Sequence, residues 1–425
     1  MKFTCALHDH PFVSEPDRLN VVLYGGTPTA NGGTAGAELF RDVKRERLAP
    51  ETRAWDFLTI AMSVIAADNA GHRGTSPDGW TRQLDLEIAV ADPDFWNSCR
   101  LELEAMLGFL STDRWSCKFI AGGFQPVPPS KILRPDVDCV ALLSGGLDSL
   151  VGAIDLAAIG RSPHLVSHIV RGDAAKQIDF ASKIGGGLPH LQLNHCVDVP
   201  NPDNPQTQRA RSLVFVAYGV LLGTSTAQYH SGGTVDIFIC ENGFVAINPA
   251  LTPGRIGSLS TRTAHPIYLA MLQKLFDRAD LRIKIANPYR AKTKGEMLRE
   301  CRDQGTLLSL AAQSTSCGRF LLNKYTHCGR CVPCQIRRAS FLAWRKIDTT
   351  IYVYEDLGKD DDQHMSFDDV RSVAIAIAEA RARGTDYLVG AGLSSPLLGD
   401  TEELSAVVAR GLAELKALHR KYKVK

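Results

Sequence analysis

No stretch of about 18 uncharged apolar residues occurs in this chain, so a membrane-spanning helix is not expected. The opening residues, MKFTCALHDHPF, turn polar after seven positions and lack the apolar core of a secretory signal, so a cytoplasmic protein is expected. Net charge is nearly absent. The 48 Lys and Arg against 46 Asp and Glu leave +2, which gives no electrostatic ground for nucleic acid as the main partner. The basic end, LHRKYKVK, reads as a solvated helix terminus, and no internal repeat is found. What is present is ordinary globular material: 425 residues, 44% hydrophobic and 22% charged, enough for two or three domains.

From about residue 137 the pattern becomes rhythmic. VDCVALL, HLVSHIV, HLQLNHCVDV, VDIFICEN and LRIKIAN read as buried strands. They alternate with helix-like DSLVGAIDLAAI, AAKQIDFASKI, TQRARSLVFVAYGVLLGTSTA, HPIYLAMLQKLF and TKGEMLRECRDQ. Short apolar strands alternating with helices predict an α/β domain over 137–345, a parallel sheet covered on both faces. Residues 1–130 lack that rhythm. Two strands (NVVLYG, QLDLEIAV) and two amphipathic helices (TRAWDFLTIAMSVIAADNA, DPDFWNSCRLELEAMLGFLS) predict a separate α+β domain. It ends near the Pro-rich GGFQPVPPSKILRP. Residues 350–425 read as mainly helical, with apolar stripes in SFDDVRSVAIAIAEARARG and TEELSAVVARGLAELKALHRKY and an exposed acidic loop, LGKDDDQHMS, ahead of both.

The fragment LLSGGLDSLVG places two glycines and two serines where the first strand of the α/β domain becomes a helix. Gly145 and Gly146 allow a tight turn with bare backbone, and the helix beginning near Leu147 aims its free N–H groups into that turn. Such a concavity binds phosphate through amides and the helix dipole. Ser144 and Ser149 add hydroxyl donors, and Asp148 either holds Mg2+ or caps the helix. No Gly-Lys-Ser/Thr follows, which excludes a Walker A loop. Gly-Gly and Asp-Ser are also common turn and cap residues, so the glycines alone decide little.

Of eleven cysteines, seven are scattered, several in apolar stretches where a thiol acts as a small hydrophobe. The other four, Cys317, Cys328, Cys331 and Cys334, form C-x10-C-x2-C-x2-C. In a reducing compartment this reads as a metal site, either tetrahedral structural zinc or an iron–sulfur centre. His327 is a spare ligand or a loop residue.

Ser144-Gly145-Gly146-Leu147-Asp148-Ser149 resembles the SGGxDS pyrophosphate loop of the PP-loop ATPases, whose sheet domain is of the adenine nucleotide alpha hydrolase kind. These enzymes cleave ATP between the α- and β-phosphates and adenylate a substrate. Together with TSCGRF…HCGRCVPCQIRR, the loop resembles the QueC-like branch, which converts 7-carboxy-7-deazaguanine to the 7-cyano base with ATP and ammonia and carries structural zinc. RARSLVFVAYG and KTKGEM resemble two further motifs of that branch. The resemblance implies ATP, Mg2+ and Zn2+, and roles near the phosphates for Arg211 and Lys294. Read from spacing alone, these two are cations near helix ends.

The likeness covers roughly 137–345. The deazaguanine-reading segment of QueC is replaced by VAINPALTPGRIGSLSTRTAHP. There and just before it Glu241, Asn242, Arg255, Ser260, Thr261, Arg262 and His265 offer polar groups for a substrate pocket, although His265 before Pro266 also suits a helix entry. The added flanking regions resemble the QueC-like members of bacterial anti-phage defence operons, those of the Qat systems above all and of type IV CBASS. That resemblance implies an AMP-forming ligase that transfers an activated 7-deazaguanine-type carboxylate to an amine of a partner protein from the same operon. Three alternatives stay open: 7-cyano-7-deazaguanine synthesis with ammonia, a tRNA-thiolating enzyme with an iron–sulfur cluster, and a non-catalytic scaffold of a defence complex.

Overall fold

The computed structural model describes residues 1–30, 32–203, 209–252, 262–359 and 369–424. The N-terminal part runs β1 (Lys2–Ala6), β2 (Arg18–Leu23), β3 (Gly33–Ala35), α1 (Leu39–Arg45), α2 (Thr52–Ala70), β4 (Gln83–Ala89), α3 (Pro93–Ser98), α4 (Arg100–Ser111) and β5 (Arg114–Ile120). The middle begins β6 (Cys139–Leu142), α5 (Leu147–Ala158), β7 (Pro163–His168), α6 (Ala174–Lys183), β8 (His190–Leu193), α7 (Arg209–Thr224) and α8 (Ala227–His230). It continues β9 (Val235–Phe238), α9 (Gly243–Ile247), α10 (Pro266–Arg278), β10 (Ile283–Ala286), α11 (Lys294–Glu300), α12 (Gln304–Leu310) and α13 (Val332–Trp344). The chain closes with α14 (Asp369–Arg383), α15 (Asp386–Val389) and α16 (Glu402–Lys421).

Both five-stranded sheets are entirely parallel, ordered β3-β2-β1-β4-β5 and β10-β9-β6-β7-β8. In each, the first strand lies at the centre and the strand order reverses beside it, so the middle sheet has a switch point where β6 meets β9. The α/β reading of the middle thus matches the observed sheet. The N-terminal part differs from the α+β expectation. Strands β1, β3 and β5 are missing from that expectation; β3 is only three residues long, whereas β5 alternates buried and exposed residues as a one-faced strand does. All five strands nonetheless pair in parallel because crossovers bring every strand back in the same direction.

The helix over 52–70 is not amphipathic as its sequence suggests. It is buried all round, because α2 lies between the N-terminal sheet and α7, which is itself buried on nearly every side. Side chains of both sheets and both helices therefore form a single apolar core. The sheets are also stitched at one edge, where Thr34 exchanges backbone hydrogen bonds of 2.8 and 2.9 Å with Asp198, in the segment following β8.

On the other face of the middle sheet, α5 packs so tightly that a Cβ on Gly152 would lie 2.3 Å from Cys240 Sγ, just past the end of β9. The α5 and β9 termini, which frame the switch point, are thus fixed against each other. Gly152→Ala should overpack this contact and lower stability by about 1–3 kcal/mol despite alanine's better helix propensity. Urea unfolding would show a reduced midpoint with an unchanged slope.

Candidate functional site at the β6–β9 switch point

In open parallel sheets, ligands occupy the crevice beyond the carboxyl ends of strands at the point where strand order reverses. Here that crevice collects residues from the β6–α5 turn, the β9–α9 turn, the first turn of α11 and the loop before the cysteine cluster. Gly145 takes φ +85°, which opens the turn, and Gly146 is the N-cap of α5. Ser149 Oγ accepts from Ser144 N at 3.1 Å and bonds Ser144 Oγ at 3.0 Å, while Gly146 N donates to Ser144 Oγ at 3.2 Å. Leu147 anchors the turn in the core with 1% exposure. The first-turn amides of α5 consequently face the crevice from a rigid loop.

Asp148 lies buried at the base of the crevice. Lys294 Nζ donates to one carboxylate oxygen in a buried ion pair, and Asn242 donates to the other from Nδ2 at 2.7 Å and from its backbone N at 3.3 Å. Burial would raise the Asp148 carboxyl, but the adjoining Lys294 charge and hydrogen bonds from Glu241, Lys294 and Asn242 hold it at about 2. Glu241 behaves oppositely. Burial and the negative charge of Asp148 push its carboxyl well above the ordinary range, so it keeps its proton and donates to Asp148. The group is one ionised carboxylate, one protonated carboxyl and one ammonium. Asn242 and Lys294 are held locally: Asn242 caps α9 through Val245 N at 3.0 Å, and Thr293 caps α11 in a capping box with Glu296.

Two cavities open from this centre and share Ser144, Ser149, Cys240 and Glu241. The first, about 230 Å³, is bounded by Gly146, Asp148, Lys294, Thr315 and Ser316. The second, about 220 Å³, is bounded by Leu142, His168, Val170, Asp173, Arg211, Phe215, Ile239 and Thr263. No carboxylate among the described residues pairs with the Arg211 guanidinium, and burial lowers its pKa. His168 Nε2 and His195 Nδ1 lie 2.5 Å apart, and burial depresses them to about 3 and about 4, so both rings are neutral near pH 7. The second cavity therefore offers an apolar wall, a neutral histidine, the carboxyl group of Asp173 and a cation, Arg211, that no carboxylate among the described residues contacts.

The four cysteines predicted as metal ligands come together. Cys317, Cys328, Cys331 and Cys334 are buried with all their sulfurs within 4.8 Å of one another. The pairs Cys317–Cys331 and Cys328–Cys334 are each 3.9 Å apart, close to the ~3.8 Å edge of a tetrahedron with 2.3 Å zinc–sulfur bonds. Backbone N–H groups of Arg319 and Cys328 donate to Cys317 Sγ, and that of Cys331 to Cys328 Sγ, each at 3.3 Å, as suits thiolates. The spacing fits one ion rather than a multi-iron cluster wedged between the sulfurs. His327 is not a ligand, since its Nε2 accepts from Ser316 N at 3.1 Å.

The cluster reaches the Gly145–Gly146 turn through one helix. Cys331 caps α13, and the fully buried Arg337 on that helix donates to Ser314 Oγ at 2.9 Å, Ser316 Oγ at 3.2 Å and Ala311 O at 2.7 Å. Between those serines, Thr315 N donates to Gly145 O at 2.9 Å. Lys176 Nζ and Asp173 Oδ1 both bond the Thr315 hydroxyl.

Other expected residues fall elsewhere. Arg262 turns away from the cavities to donate to Phe109 O at 2.9 Å and stack on that ring, leaving Thr263 and Ala264 as lining. His265 is a helix entry, its Nδ1 accepting from Ile267 N at 3.2 Å. Arg255, Ser260 and Thr261 lie outside the described residues, as does most of the acidic loop. Asp173, Lys176, Thr315 and His168 carried no motif of their own; their only signal was position just after a strand or just before a cysteine ligand. No helix is long and apolar enough to cross a membrane among the described residues. No protein-family model matches the chain, and no curated protein matches it.

The raised Glu241 carboxyl sets a pH dependence. Its contribution is fully present below the ordinary value of 4.5 and is lost as pH rises toward its folded-state value. Glu241→Gln keeps a donor for Asp148 without an ionisable proton. Its stability relative to the parent protein should be near equal at pH 4 and grow by up to about 1.4 kcal/mol per pH unit above that. Urea unfolding at a series of pH values measures it, and a constant difference would refute the protonated assignment.

Proposed function

We propose that the chain is an AMP-forming, ATP-dependent enzyme that adenylates a carboxylate of the 7-carboxy-7-deazaguanine type. The acyl group then passes to an amine, supplied by a partner protein in anti-phage defence. The observation that carries the reading is the SGGLDS turn at the switch point, with Asp148 and Lys294 paired at its base and a second cavity holding the unpaired Arg211.

A carboxylate oxygen attacks the α-phosphorus of ATP, forming the mixed anhydride as the bond from the α-phosphorus to the bridging oxygen breaks. Pyrophosphate takes the electron pair and moves into the first cavity. There the amides of the Gly145–Ser149 turn, the Ser144 and Ser149 hydroxyls, Lys294 and the Thr315–Ser316 edge meet its charge. Arg211 neutralises the acid or the α-phosphate from the other side. The nucleoside fits against Leu142, Val170, Phe215 and Ile239. An amine nitrogen next attacks the acyl carbon, AMP departs with the anhydride oxygen, and the amine's proton leaves to solvent. Asp148 is the carboxylate that would hold a Mg2+ ion brought with ATP, which would supply charge neutralisation at the phosphates, if Lys294 were drawn from it to phosphate. Zinc on Cys317, Cys328, Cys331 and Cys334 serves structure, holding α13 and the Thr315 loop against the turn.

ATP–pyrophosphate exchange tests the reading. Exchange should require 7-carboxy-7-deazaguanine and fall at least about 100-fold in Asp148→Ala, the scale of losing one charge-stabilising group. A mass increase on a co-purified partner would identify the acceptor. No exchange from folded, metal-loaded protein overturns the proposal. Elemental analysis should give about one zinc per chain in a colourless protein. Iron with visible absorption would replace zinc by a cluster. Chelation should loosen the loop before Cys317 and the turn that it contacts, seen as faster amide exchange over 311–317 and 144–149.

A further inference from the structure

The C-terminal segment lies outside the region that the phosphate-site motifs occupy, yet its last helix touches two of the four elements that carry the site. On α16, Glu414 Oε1 accepts from Thr293 Oγ1 at 2.5 Å, and Thr293 is the N-cap of α11, whose first residue is Lys294. The same carboxyl accepts the backbone N–H of Gly295. Gly295 makes room for it: a Cβ there would stand 2.4 Å from Glu414 Oε1 and 2.7 Å from Ala343 Cβ. One turn earlier, Arg410 bonds Glu296 Oε1 at 2.7 Å and Ala291 O at 2.6 Å, closing on both sides of the same cap. The helix also grips α9, because Gly411 lies against the Phe244 ring so closely that a Cβ would come within 2.3 Å.

We infer that Glu414 is a positioning residue for Lys294, and that the C-terminal helix thereby belongs to the machinery of the phosphate site. The inference deepens the adenylation reading and rests on it for what Lys294 does. Glu414 fixes the hydroxyl and the amide on either side of Lys294, so the lysine stem leaves a backbone that cannot rotate, and Nζ is delivered to Asp148. Burial raises the Glu414 carboxyl to about 7, in keeping with a group enclosed by the α11 cap and α13.

The test combines amide hydrogen exchange over Thr293–Glu300 with calorimetric titration of Mg2+-pyrophosphate. It compares Glu414→Ala, Glu414→Gln, Lys294→Ala and the Glu414→Ala/Lys294→Ala pair. Glu414→Ala should unprotect that segment and weaken pyrophosphate binding by about tenfold, the effect of one lost positioning hydrogen bond. Glu414→Gln retains the acceptor and should restore both. In the Lys294→Ala background, Glu414→Ala should cost nothing further. Gly295→Ala, which displaces the carboxyl without removing it, should reproduce Glu414→Ala and serves if that variant does not fold. Losses that multiply in the double variant, or a segment whose exchange does not change, overturn the inference. A parent protein that binds no pyrophosphate defeats the phosphate reading instead, and the exchange comparison still decides whether Glu414 holds α11.

Discussion

The buried ion pair between Asp148 and Lys294 governs the arrangement around it. Removing a carboxylate and an ammonium from water costs several kcal/mol per ion, and their attraction offsets this only when the remaining donors and lone pairs are satisfied. Each neighbour answers that demand. Asn242 covers one Asp148 oxygen with two donors, and Glu241 stays protonated because a second negative charge beside Asp148 has no cation of its own. To meet these requirements three chain segments far apart in sequence must converge on one carboxylate. The tight packing of Gly152 on Cys240 and the donation of Gly243 N to Tyr289 O and Lys292 O, at 3.0 and 2.8 Å, follow from the same convergence.

A second constraint comes from outside the crevice. Four thiolates closed on a metal ion would need no apolar core to hold their shape and could fix a loop where the fold offers little packing. In this protein the shape passes from Cys331 into α13, through Arg337 into Ser314 and Ser316, and through Thr315 into the Gly145–Gly146 turn. A fully buried arginine with six hydrogen bonds to that loop and Thr350 acts as a rigid strut. The cluster therefore influences the turn without facing it.

Legibility in the sequence followed how local each signal was. The Ser144–Ser149 turn and the four cysteines are contiguous patterns whose chemistry depends on spacing, and both assemble as read. The middle sheet was legible because strands buried on both faces leave continuous apolar runs. The N-terminal sheet was not. β3 is too short to show a period, and α2 reads as amphipathic although its polar residues, Asp56, Thr59, Ser63 and Asp68, are buried and bonded inside the core. Lys294 and Asp148 carried no sign of their pairing, since contact between positions 146 residues apart is set by topology alone. Arg262 was misplaced for the converse reason. A polar residue beside a pocket-forming stretch is as well served by a nearby carbonyl and ring as by a ligand.

The two cavities differ in how their charge is satisfied, and the difference bears on the order of events under the adenylation reading. In the first, the cation is already paired with Asp148, so an incoming phosphate must take Lys294 from a partner it does not otherwise leave. In the second, no carboxylate among the described residues is in ion-pair contact with Arg211, although the charge of Asp173 acts on it from the same cavity, so an entering anion need not displace a bonded partner. Binding energy is therefore available at once on the side of Arg211. On the pyrophosphate side it is realised only as negative charge develops enough to compete with Asp148. Interactions that strengthen along the reaction in this way accelerate a step rather than merely tighten binding. A paired lysine at the leaving-group end and an unpaired arginine at the entering end thus divide the work between the steps of capture and displacement.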